Sequence, residues 1–108
     1  MGAIFMVRAE VKEPAAKPEF EKWYRDEHLP DALKTFGARR AWRAWSDVDP
    51  SVHYAVYEFD TIEQVRALPG SAGMKRLVAD FDRAWGKRVV RARDAMTVVQ
   101  EAGGGRPT

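Results

Sequence analysis

The sequence predicts an α+β domain of order βαββαβ, the ferredoxin-like or split βαβ arrangement, with a four-stranded antiparallel sheet and its helices on one face. Two patterns predict it. Residues 3–11 alternate with period 2, residues 38–48, 53–59 and 89–100 read as three further short strands, and apolar residues recur with period 3.6 in the helix-length windows after the first and third strands. The order of these segments supplies the third observation, because crossovers of like handedness must land on the same face of such a sheet.

Each element has its own signal. In the first strand Ala3, Phe5, Val7, Ala9 and Val11 form a wholly apolar face, opposed by Ile4, Met6, Arg8 and Glu10. KEPAAK at 12–17 reads as a loop, and Pro18 suits the first turn of a helix that runs to about Phe36, where Gly37 is placed for a left-handed cap. Residues 38–48, ARRAWRAWSDV, read as the second strand and Asp49-Pro50-Ser51 as a turn. HYAVYEF at 53–59, rich in β-branched and aromatic residues, completes a hairpin. Thr61 and Gln64 form a capping-box pair opening a short helix that Leu68-Pro69-Gly70-Ser71 interrupts. Met74, Leu77, Val78, Phe81 and Trp85 line one face of a longer helix closed by Gly86, and residues 89–100 form the fourth strand. Residues 1–100 are read as one domain and 101–108, EAGGGRPT, as a mobile tail with nothing to bury.

The window at 20–31, FEKWYRDEHLPD, departs from an ordinary core helix. Phe20, Trp23, Tyr24 and Glu27 share one face, Asp31 follows a turn later, and His28 lies at the edge. Leu29, Leu33 and Phe36 point to nearly the opposite side, so one straight helix cannot bury both sets. Pro30 removes a backbone donor and is expected to push His28 and Leu29 out of ideal helical geometry, letting the second segment rotate.

Composition excludes several functions. With 18 basic and 16 acidic residues the net charge is +2, too near balance to imply a polyanion partner. No apolar run approaches a membrane span, and the start MGAIFMV reads as a strand, not a leader. The absence of cysteine fits a cytoplasmic protein and removes thiolate metal sites; with only two histidines, no metal site is expected. Basic and aromatic residues interleave in Arg39-Arg40-Ala41-Trp42-Arg43-Ala44-Trp45, but alternation sends Trp42 and Trp45 to opposite sides, so no nucleic-acid stacking platform forms.

Neither sheet face is cleanly polar. Ile4 and Met6 oppose Phe5 and Val7, and Tyr54 and Val56 oppose Ala55, Tyr57 and Phe59. A second copy of the chain is therefore expected to cover the helix-free face, burying roughly 800 Å² per partner. The competing expectation is a monomer whose Arg and Trp side chains lie flat over that face.

In this setting WYRDEHLPD at 23–31 resembles the dimeric α+β barrel superfamily, and within it the EthD-like proteins, whose first helix carries an H-x-P signature matched by His28-Leu29-Pro30. The likeness in element order covers residues 3–100. It implies pairing of two sheets into a barrel and a small-molecule pocket between helices and sheet. The activities it implies are decarboxylation, cyclisation, isomerisation, cofactor-free oxygenation or haem degradation, and fold alone does not choose among them.

His28 is the candidate catalytic residue, a proton shuttle beside Tyr24; the competing role is to cap carbonyls freed around Pro30. Asp31 either orients the imidazole and meets substrate or caps the segment after the kink, the cap being favoured. Trp23, Tyr24, Phe81 and Trp85 are candidate substrate-binding residues that core packing would equally explain, and Tyr57 offers a hydroxyl that needs a partner if buried. Glu27 is expected to face solvent or pair with Arg43 or a lysine, and His53 to lie at the surface of a hairpin end. The expected partner is a hydrophobic small molecule, with no cofactor. A non-catalytic binding protein is the alternative function, and a haem-degrading enzyme using His28 as axial ligand the third.

Overall fold

The structure, a computed structural model, describes residues 2–103. Its sheet comprises β1 (Ala3–Val11), β2 (Arg40–Trp45), β3 (Val52–Phe59) and β4 (Val89–Thr97), antiparallel throughout, in the order β2-β3-β1-β4. The helices are α1 (Lys17–Trp23), α2 (Leu29–Phe36), α3 (Ile62–Arg66) and α4 (Ala72–Ala84). The expected βαββαβ order and antiparallel sheet are present, with helices on one face.

Registration fixes which residues share a face. Phe5 pairs with Tyr57 and Ala95, and Val7 with Ala55 and Arg93, so the odd-numbered positions of β1, β3 and β4 face the helices together. Along β1 burial alternates residue by residue, and Ala3, Phe5, Ala9, Val11, Ala55, Tyr57 and Phe59 form the floor of the core. Phe20 from α1 and Tyr24 just after it, with Leu77 and Phe81 from α4, form its roof.

Two strands are shorter than the alternation predicts. The N–H of Ala38 bonds to the Leu33 carbonyl in the cap of α2, so β2 starts later. At its other end Ser46 Oγ accepts from the N–H groups of Val48 and Asp49, closing the turn early. β4 ends at Thr97, short of residue 100. A 3₁₀ turn, Pro14–Ala16, occupies part of the expected loop. Gly37 takes the left-handed conformation (φ 66°), and Thr61 and Gln64 form the capping box. Of the tail expected to be mobile, residues 104–108 lie outside the described residues.

The Pro30 region corrects the sequence reading. His28 (φ −76°, ψ −44°) and Leu29 (φ −65°, ψ −47°) keep helical dihedrals. Adjustment occurs instead through a π-helical turn at Tyr24–His28, closed by the Leu29 N–H bonding to the Tyr24 carbonyl five residues back. One inserted residue shifts the phase of the following helix by about 100°. Phe36 thereby reaches the sheet, edge-on to Phe5 and Tyr57 at centroid distances of 5.7 and 5.2 Å. α2 also meets α4 closely: a Cβ on Gly73 would come within 2.6 Å of the Thr35 methyl.

The helix-free face carries Ile4, Met6, Tyr54, Val56, Trp42 and Met96, with Val56 buried and Trp42 41% exposed. Trp42 Nε1 donates to Glu58 across the strands (2.9 Å), and Arg40 pairs with the same carboxylate. Among the described residues no helix is long and apolar enough to cross a membrane.

Candidate functional site

The π turn places His28 in line with Phe20 and Tyr24, which are buried, while Glu27 is turned outward and exposed. The expected positions of Glu27 and His28 on the helix are thus exchanged by the inserted residue. The imidazole of His28 stacks on Trp23 (centroids 4.5 Å apart, planes 18° apart) and meets Tyr24 and Phe81 edge-on at 4.9 and 5.8 Å. As the N-cap of α2, its side chain accepts no bond from the first-turn N–H groups.

His28 borders two spaces. On its inner side lies a cavity of about 20 Å³, lined with Tyr24, Tyr57, Phe5, Phe36, Phe81 and Arg91 among others. That is room for about one water molecule. On its outer side is an open cleft of about 330 Å³ bordered by Trp23, Glu27, Asp31, Asp80 and Arg83. A third space, about 550 Å³, opens at the β4 edge; it shares Phe5, Met74, Val78 and Arg93 with the inner cavity. Met74 and Val78 therefore stand between that space and the inner cavity beside His28. Trp23 covers one face of the His28 ring, and the space on its inner side is water-sized.

Burial lowers the pKa of His28 to about 4, only partly opposed by the negative charge of Asp31. At neutral pH the ring is uncharged and offers a lone pair. Burial raises Tyr24 to about 12 and Tyr57 well above its ordinary value; their hydroxyls also influence one another, and both keep their protons. A neutral proton acceptor and phenolic donors thus border one small apolar space.

The other sequence candidates divide. Trp23, Tyr24, Tyr57 and Phe81 gather around His28. Trp85 lines none of these three spaces; it packs on Phe20 at 5.1 Å, its Nε1 buried without a partner. Asp31 is not the cap expected, because the N-cap position of α2 is His28. Its carboxylate receives two bonds from Arg76 (2.9 and 3.0 Å) and one from Thr35 Oγ1 (3.1 Å), which fixes it at the rim of the outer cleft.

His53 is the plainest correction. Expected at the surface, it is fully buried among Phe20, Tyr24 and Trp45, with Nδ1 unpartnered and Nε2 3.3 Å from Arg43 Nη1. Arg43 in turn forms a fork onto Glu21 (Nη1 to Oε1 2.7 Å), joined by Trp45 Nε1 at 2.8 Å. The Arg43 hydrogen bonds hold Glu21 down to about 2, and burial lowers His53 to about 4. Strand parity contained the signal for His53, which shares its side of β3 with Ala55 and Tyr57. The same parity would have directed Arg91 and Arg93 to the helix side of β4, where they line the cavity.

The comparisons with known proteins address the fold. An EthD family protein from Bacillus halodurans superposes with a TM-score of 0.66 at 18% identity, covering 87% of this chain and 97% of that one. SnoaB, a cofactor-independent oxygenase from Streptomyces nogalater, gives 0.64 at 14% identity over 93% and 95%. A candidate antibiotic biosynthesis monooxygenase from Deinococcus radiodurans gives 0.67 at 7% identity over 94% and 96%. The chain shares the fold of these proteins, a ferredoxin-like α+β domain. No family model and no curated protein matches the sequence.

Proposed function

We propose that this chain is a small cofactor-independent enzyme acting on a hydrophobic, aromatic or carbonyl-bearing molecule held between the helices and the sheet. The carrying observation is His28: a water-deprived imidazole without a capping bond, set between the inner cavity and the outer cleft and flanked by Tyr24. In this reading His28 accepts a proton from an acidic C–H or O–H of the substrate, while the Tyr24 and Tyr57 hydroxyls donate to the oxygen on which charge develops. Cyclisation, isomerisation and cofactor-free oxygenation begin from such a stabilised anion, whereas decarboxylation generates one as carbon dioxide leaves and then needs a proton. Binding must displace Met74 and Val78, because the inner space is water-sized. The relatives' names favour this class, and the fold they share supplies the scaffold.

Incubation with a panel of phenols, aryl ketones and aryl keto acids, without added cofactor, tests the proposal by product mass spectrometry. His28→Ala should retain the fold by circular dichroism and lose turnover by about a hundredfold or more. Unchanged turnover in that variant removes His28 from the chemistry.

A second reading, a binding or accessory protein, is favoured by the weak basicity of His28 and the small cavity. It predicts amide shifts around His28 with panel compounds but no product. In either reading we place the protein in the cytoplasm, as a homodimer through its helix-free sheet face.

A further inference from the structure

The helix-facing side of an edge strand is an unusual place for consecutive guanidinium groups. Arg91 and Arg93 occupy successive positions on that side of β4, opposite Ala9 and Val7 of β1, and both line the cavity beside His28. Their surroundings differ. Arg91 is largely covered, lies over the Phe81 ring at 4.1 Å and pairs with Asp82 at 3.1 Å. Arg93 is exposed, has no ion-pair partner among the described residues, and lines both the inner cavity and the 550 Å³ cleft at the β4 edge. Lys75, on the opposite wall of that cleft, also lacks an ion pair among the described residues. The one carboxylate bordering the cleft, Asp94, accepts its own strand's Ala95 N–H at 2.8 Å. The remaining lining is largely apolar: Phe5, Pro69, Met74, Val78 and Ala95.

We infer that the ligand of this site is an aryl anion, its carboxylate received by Arg93 at the mouth and its hydrophobic body directed past Met74 and Val78 toward His28. A guanidinium offers paired donors that match a carboxylate, and one already held by Asp82 cannot serve as freely, so Arg93 and not Arg91 is the specificity residue. The inference rests on the pocket reading above and adds the ligand's charge to it.

The test uses the full chain, ¹⁵N-labelled, titrated with 2-naphthoate and with its neutral analogue 2-naphthamide, for the wild type and for Arg93→Gln and Lys75→Gln. Amide shifts locate each compound and give its Kd. The expected result is that the carboxylate binds at the β4 cleft roughly tenfold or more tighter than the amide. Arg93→Gln should abolish most of that preference. Equal affinity of the two compounds at this site overturns the anion inference and leaves the pocket reading standing. A preference that survives Arg93→Gln but falls in Lys75→Gln overturns the assignment to Arg93. Binding confined to other surfaces, or no binding of either compound, overturns both readings.

Discussion

At the scale of single residues, the molecule removes both of its imidazoles from water, and this has a thermodynamic consequence. His28 and His53 each fall from an ordinary 6.5 to about 4 on folding, first through burial. Between those values the unfolded chain binds protons that the folded chain refuses, so stability is fully present above pH 6.5 and is lost as pH falls toward 4. At the limit each ring contributes about 3 kcal/mol to this loss. The expected outcome is a urea midpoint that drops steadily from pH 7 to pH 4.5, with neither imidazole titrating above pH 5 by NMR. A ring that titrates near 6.5 in the folded protein overturns this account of its burial. Glu21, held at about 2, and Asp31, also lowered, add their losses only at lower pH. Of the two rings, only His28 was singled out as a buried candidate from sequence, because Pro30 and neighbouring aromatics marked it. His53 was not: its position beside a turn suggested exposure. Its burial follows from the strand register and from side chains that reach it from α1 and β2.

At the scale of elements, the π turn is what joins two helical segments with opposed apolar faces into one continuous rod. Phe20 and Tyr24 anchor its first half, and Phe36 anchors the second against Phe5 and Tyr57. Pro30 supplies the local reason for the insertion: in an unbroken α-helix its ring would clash with the carbonyl four residues earlier. Deleting the exposed Glu27 removes the extra residue and forces Pro30 into such a helix, so it should cost about 3 kcal/mol. Combining the deletion with Pro30→Ala should recover most of that loss, as read from urea melts of the two variants. A deletion that is harmless with Pro30 in place would show that tertiary anchoring alone sets the bulge. Pro30 itself was legible in the sequence, as was the need for the second segment to rotate. The means of rotation was not, since choosing a π turn over a kink depends on where both aromatic anchors meet the sheet.

At the scale of the whole molecule, element order and sheet faces were legible because strand and helix periods are local properties of the chain. The candidate site was legible on its helix side, at Trp23, Tyr24 and His28, and not on its β4 side, where Arg91 and Arg93 read simply as polar strand positions. The helix-free face carries the remaining consequence. Ile4, Met6, Val56 and Met96 are neighbours on it across three strands, and Trp42, tied to Glu58, extends the same surface. Arg8, Glu10 and Asp94 provide charged positions around this apolar group. A face of that composition gains by meeting its own copy about a two-fold axis, where the central apolar residues lose contact with water and the charged ones stay outside. The chain should therefore sediment at twice its mass of 12.3 kDa at micromolar concentration. Met6, half-buried on the central strand β1, lies where two copies would meet. Met6→Lys would place like charges against each other in both copies and should yield a monomer with an unchanged far-ultraviolet spectrum. A wild-type chain that sediments as a monomer at tens of micromolar would leave Trp42 and Arg40, lying over the sheet, as the whole cover of that face.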